Sequence, residues 1–190
     1  MKKLQEIELT IKNEAEDGIF AISLVENPAI EEDFVFLSSQ EVELKVVDEE
    51  RRIVVGFALV PEKRIYRKMN GKEFNIYFSK ETVAKAGEVY MKNLNLNKFT
   101  AEHDSKIEGV SVIELWIVED SKNDKSNIYK LNPKGGELVV MSKIYNDEVW
   151  EQVKDGTFKG YSIEAMFDGF EQLQSSQEED IINQLKNLIK

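Results

Sequence analysis

Apolar and polar residues alternate over most of the first sixty positions. IELTIK (7–12) and GIFAISLV (18–25) read as strands, the second stopped at Asn27-Pro28, where proline removes a ladder donor. FVFL (34–37), VELKVV (42–47) and RIVVGFALV (52–60) follow between polar breaks, and KEFNIYF (72–78) adds another. With no helical period among them, these segments predict an antiparallel sheet or barrel. Ser79 then caps a predicted helix in which Val83, Ala86, Tyr90 and Leu94 recur at helical spacing. KFTAEH (98–103) and VSVIELWIVE (110–119) return to strand. DSKNDKSNIYKLNPKGG (120–136) is a polar loop of a length that is either mobile or functional. ELVVMSKIY (137–145) reads as strand, Asn146 caps a short helix ending at Gly156, and YSIEAMF (161–167) is the last strand.

The C-terminal end differs in kind. DGFEQLQSS (168–176) has the composition of a linker, and Ser176 with Glu179 makes a capping box. The helix that follows, 177–190, carries an apolar stripe of Ile181, Ile182, Leu185, Leu188 and Ile189. The expected organisation is one domain over 1–170 and a linker with an amphipathic helix over 171–190.

Composition narrows the function classes. The chain has 190 residues, with 25 Lys+Arg against 36 Asp+Glu and a net charge of −11. Phosphate binding needs clustered cations, so this balance, with arginine only at 51, 52, 64 and 67, argues against a nucleic-acid partner. Cysteine is absent, which excludes disulfides, thiolate metal sites and a Cys nucleophile. MKKLQEIELT has no apolar h-region, and no apolar run approaches the roughly 18 residues of a membrane span. The expectation is a soluble intracellular protein without a membrane partner or cofactor.

Few residues are suited to chemistry. His103, in FTAEHDS, is the only histidine, which rules out a multi-histidine metal site. Its alternation places it with Phe99 and Ala101, either as an ordinary half-buried histidine or as a general base. Ser162, in GYSIEAMF, shares a strand face with Glu164 and Met166, opposite Tyr161, Ile163, Ala165 and Phe167. A small hydroxyl there is a strand residue or a nucleophile that needs an adjacent base. Two carboxylates compete to orient the imidazole. Glu164 lies two residues beyond Ser162, and Glu114 sits in the apolar strand VSVIELWIV, where a charge is costly unless paired. Glu114 reads equally as an edge charge that discourages aggregation. DSKNDKSN lacks the glycine and terminal glutamate of a calcium loop.

Four stretches, taken together, resemble the XkdF-like family of phage serine proteases, relatives of the prohead (capsid maturation) proteases of tailed phages. They are GIFAISLVENPAIEEDFVFLS, VVGFALVPEKRIYR, FTAEHDSKIEGVSVIELWIVED and KDGTFKGYSIEAMF, in family order. The resemblance implies a mainly β, α+β fold with an antiparallel barrel-like core and peripheral helices, similar to herpesvirus assemblin. It further implies a serine endopeptidase that cleaves scaffold and major capsid protein precursors, and itself, inside the procapsid in the bacterial host cytoplasm. Ser162 falls on the family's nucleophile and His103 on its base. Relatives usually carry a motif like EVSLVxxPA after the serine, thought to hold the acid. Here AISLVENPA (21–29) precedes the histidine with Ala21 in the acid's place, as in a circular permutation. The third member therefore stays open between Glu164, slightly favoured, and Glu114. A different class is kept beside this one: a non-catalytic scaffold or capsid-assembly protein that retains the fold, with helix 177–190 as a contact or homodimer surface.

Overall fold

A computed structural model describes residues 4–26, 44–69 and 71–169. Eleven strands and two α-helices follow in the order β1 (Gln5–Glu8), β2 (Gly18–Val25), β3 (Lys45–Asp48), β4 (Ile53–Leu59), β5 (Ile65–Met69), β6 (Lys72–Tyr77), α1 (Lys80–Lys92), β7 (Phe99–Ala101), β8 (Ser105–Ile107), β9 (Val110–Ile117), β10 (Leu138–Ile144), α2 (Asp147–Lys154) and β11 (Gly160–Met166). Both helices begin where the capping residues predict. Ser79 Oγ accepts from Thr82 N at 3.3 Å, and Asn146 Oδ1 accepts from Glu148 N and Val149 N.

The strands form three sheets, ordered β1-β6-β5, β3-β4-β10-β9 and β11-β2-β7-β8. Short contacts stitch their edges together. Thr10 bridges Asp168 between the first and third sheets, and Leu44 N donates to Lys159 O between the second and third. All three sheets turn one face to a common core. Ile7, Phe74 and Ile76 enter it from the first, Val54, Val112 and Val140 from the second, and Ile22, Phe99 and Ile163 from the third. Val83, Ala86 and Tyr90 of α1 and Trp150 of α2 seal it.

The central strands of the second sheet, β4 and β10, are buried on both faces. Val54 and Val140 point to the main core, while Val55, Phe57, Val139 and Met141 build a second cluster under Val118 and Leu131. That is why VVGFALV and ELVVM are continuous apolar runs, the pattern of strands covered on both sides. Loop 120–136 supplies part of the second cover. Leu131 is buried in it, Tyr129 packs against it, and a single 3-10 turn over Lys125–Asn127 is capped by Asp124.

The sheets do not close into the antiparallel barrel-like core that the resemblance implies. Two of the pairings, β1 with β6 and β2 with β7, are parallel, so the chain must cross over between distant strands and cannot run as one meander. Strands β5 and β8 carry no clear signal in the sequence. IYRKM is rich in cations, as edge strands are, and SKI is three residues long. The predicted strand FVFL (34–37), helix 177–190 and most of the 168–176 linker lie outside the described residues.

Candidate active site

The third sheet gathers the chemistry-bearing residues on the face turned away from the core. Strand β11 alternates cleanly. Tyr161, Ile163 and Ala165 enter the core, and Ser162, Glu164 and Met166 take the other face. The registers Ser162↔Ser23 and Ser23↔Thr100 then lay three hydroxyls in a row across β11, β2 and β7. Glu164 pairs with Ala21 one step further along. Exposure rises along β11 from Ser162, which is fully buried, to Met166 at 62%. The bulge between Glu164 and Ala165 leaves Phe20 as the extra residue on β2, also partly exposed. The row is thus covered at the Ser162 end and open at the Phe20–Met166 end.

His103 reaches this face through a turn. Alternation from Phe99 would send it towards the core, but β7 ends at Ala101 and alternation ends with it. Glu102 and His103 take φ of 48° and 59°, and Asp104 N donates to Ala101 O at 2.9 Å. Two consecutive left-handed residues inside an i to i+3 hydrogen bond define a type I′ turn, in which Asn-Gly is the usual pair. The left-handed conformation costs on the order of 1 kcal/mol for each of these residues. Strand β2 holds the turn in place: Leu24 O accepts from Glu102 N at 3.0 Å, Ser23 Oγ accepts from His103 N at 3.0 Å, and Glu102 Oε1 accepts from Glu26 N at 2.5 Å. Such strain survives only where the surroundings enforce it.

The turn places His103 Nδ1 3.8 Å from Glu164 Oε1, both side chains being largely buried. The same Glu164 oxygen accepts from Thr100 Oγ1. Burial pushes the imidazole down from its ordinary 6.5 to about 4, so it is neutral near pH 7 and able to accept a proton. Ser162 Oγ is buried and makes no hydrogen bond among the described residues, so no Ser162–His103 hydrogen bond is closed in this state.

Glu114 is placed elsewhere. It lies on β9 in the second sheet and is ion-paired with Lys125, whose ammonium also stands 3.9 Å over the Trp116 ring. Its charge is answered by that surface pair. Among the described residues no group of three or more His, Asp and Glu side chains is placed to hold a metal ion.

Thr100 and Ser23 are absent from the sequence-based candidates. Hydroxyls are common in strands, and these two gain their meaning from the parallel β2–β7 register, for which the sequence has no label.

The fold and site define a mainly β protein that presents a serine hydroxyl, a neutral imidazole and a carboxylate on one face of an open sheet. Residues 41–171, well over half of the chain, match the model of the family described as "Putative phage serine protease XkdF", and the chain belongs to that family. The matched stretch contains Thr100, His103, Ser162 and Glu164, while β2 with Ser23 lies before it. No curated protein and no solved structure matches the chain.

Proposed function

We propose that the protein is a serine endopeptidase of phage capsid maturation, acting on scaffold and major capsid protein precursors within the procapsid. The observation that carries this reading is the approach of Glu164 to His103 Nδ1 on the sheet face that also bears Ser162. The pairing of Glu164 with Ala21 adds support. Ala21 stands where relatives usually carry their acid, and its methyl leaves room for a carboxylate from the neighbouring strand.

The chemistry follows from these positions. Ser162 Oγ attacks the scissile carbonyl carbon while its proton passes to His103 Nε2. The resulting imidazolium, steadied by Glu164 at Nδ1, returns the proton to the leaving amine. Water then hydrolyses the acyl-enzyme, with the imidazole again acting as base. The missing Ser162–His103 contact closes when substrate or assembly reorganises the site, as catalytic hydrogen bonds are often long before substrate binds.

The same buried hydroxyl favours a second reading. A non-catalytic scaffold or capsid-assembly component has no need of an accessible Ser162, and this state shows it covered. Co-expression with the cognate scaffold and capsid proteins, read by intact mass, separates the two. Fragments with wild type and none with Ser162→Ala are expected, and Glu164→Gln should slow processing by up to about 10⁴-fold. Removing an unmatched buried hydroxyl does not weaken the fold, so the Ser162→Ala chain should melt no lower than wild type. Processing by Ser162→Ala would end the protease reading. Intact precursors in both, with assembly unaffected, would establish the scaffold.

A further inference from the structure

Glu164 has few rigid constraints of its own. Its side chain has three rotatable bonds and starts from a strand position beside a β-bulge, where the register with β2 shifts. A carboxylate that is to orient an imidazole has to be held to within roughly half an ångström. Thr100 supplies that restraint. Its Oγ1 donates to Glu164 Oε1, the same oxygen that faces His103 Nδ1. Thr100 is in turn a stiff anchor, since a β-branched side chain has restricted χ1 freedom. Its own carbonyl accepts from Ser23 Oγ at 3.3 Å, and its strand is paired on both sides, with Ser23 on β2 and Lys106 on β8.

We infer that Thr100 is a positioning residue: its hydroxyl fixes Glu164 so that Oε1 can accept a hydrogen bond from His103 Nδ1–H, which keeps the proton on Nδ1 and leaves Nε2 unprotonated. The inference rests on the proposed Ser162–His103–Glu164 site and extends it by one residue, which acts through Glu164. Oε1 has lone pairs for two donors, and the Thr100 hydroxyl from β7 and the imidazole N–H from the turn that follows it both face it. With the hydroxyl gone, the carboxylate is free to rotate towards the solvent at the Phe20–Met166 end. The two ring tautomers then have no strong reason to differ in population, and the fraction of imidazole competent to take a proton at Nε2 falls.

A single histidine makes this directly observable, because every imidazole resonance of the full chain belongs to His103. At neutral pH the ring is uncharged, so its two ¹⁵N shifts read the tautomer. The expected result is an Nδ1–H tautomer in wild type, a shift towards a mixture in Thr100→Val, and recovery in Thr100→Ser, which restores the hydroxyl. Valine keeps both the shape and the strand preference, so Thr100→Val should fold. Precursor processing in co-expression should slow by roughly tenfold to a hundredfold in Thr100→Val and recover in Thr100→Ser. A wild-type tautomer retained in Thr100→Val, or an Nε2–H tautomer in wild type, overturns the inference whatever the processing rates are. If the tautomer changes as expected while Ser162→Ala still processes precursor, Thr100 keeps its role at Glu164 and the protease reading alone fails.

Discussion

His103 combines two costs that an ordinary surface histidine avoids, a left-handed backbone and a buried ring. The second has a pH signature. Its folded pKa, about 4, lies below the unfolded value of 6.5, so between the two the unfolded chain binds the proton more readily. The stability held by the neutral ring is complete above about pH 6.5 and is lost as the pH falls towards 4, by roughly 3 kcal/mol in all. The urea midpoint of wild type should therefore fall relative to that of His103→Gln between neutral pH and about pH 5. The carboxylates titrate in both chains and cancel in the comparison. A difference that does not change with pH would show the ring to be hydrated and freely protonated in the folded state.

Strand β11 owes its position to a missing side chain on β4. A Cβ at Gly56 would stand 3.1 Å from Tyr161 Cδ2 and 3.3 Å from Leu44 Cδ2, so the bare backbone lets the Tyr161 ring lie against the strand. Tyr161 is fully packed and immediately precedes Ser162. Gly56→Ala should cost about 1–3 kcal/mol by overpacking, and the displaced ring should carry β11 with it. The expected outcome is a lower urea midpoint together with slower precursor processing. Wild-type processing in a destabilised Gly56→Ala chain would mean that β11 is held by its β2 register alone.

At the scale of the whole molecule, two apolar clusters share one sheet. Trp150 belongs to the main core and Trp116 packs against the second cluster, on opposite faces of β3-β4-β10-β9. Because β4 and β10 contribute side chains to both, neither cluster can open without stripping the strands that the other needs. Trp116→Phe and Trp150→Phe leave one fluorophore each, and in both variants fluorescence and far-UV circular dichroism should report a single coincident urea transition. An earlier fluorescence transition in the chain that retains Trp116 would mark the loop-covered cluster as a separately melting unit. Loop 120–136 is part of this packing, which accounts for a long connection in a compact fold.

The patterning along the chain determined most elements by itself, because solvent sorts apolar from polar positions locally. GIFAISLV, ELVVMSKIY and the two capped helices coincide with β2, β10, α1 and α2 to within a residue or two. The Ser162–Glu164 face was legible for the same reason, since a period of two needs no partner to be read. Tertiary structure alone decided the rest. The parallel β2–β7 register brings Ser23 and Thr100 beside Glu164, although they are distant in the chain. Nothing local in FTAEHDS forecasts that two left-handed residues would turn His103 away from Phe99 and onto the opposite face. Glu114 and Glu164 are equivalent as letters in apolar strands. Their separation into a surface ion pair and a partner of His103 comes from long-range pairing, which depends on what the rest of the fold brings within a few ångströms.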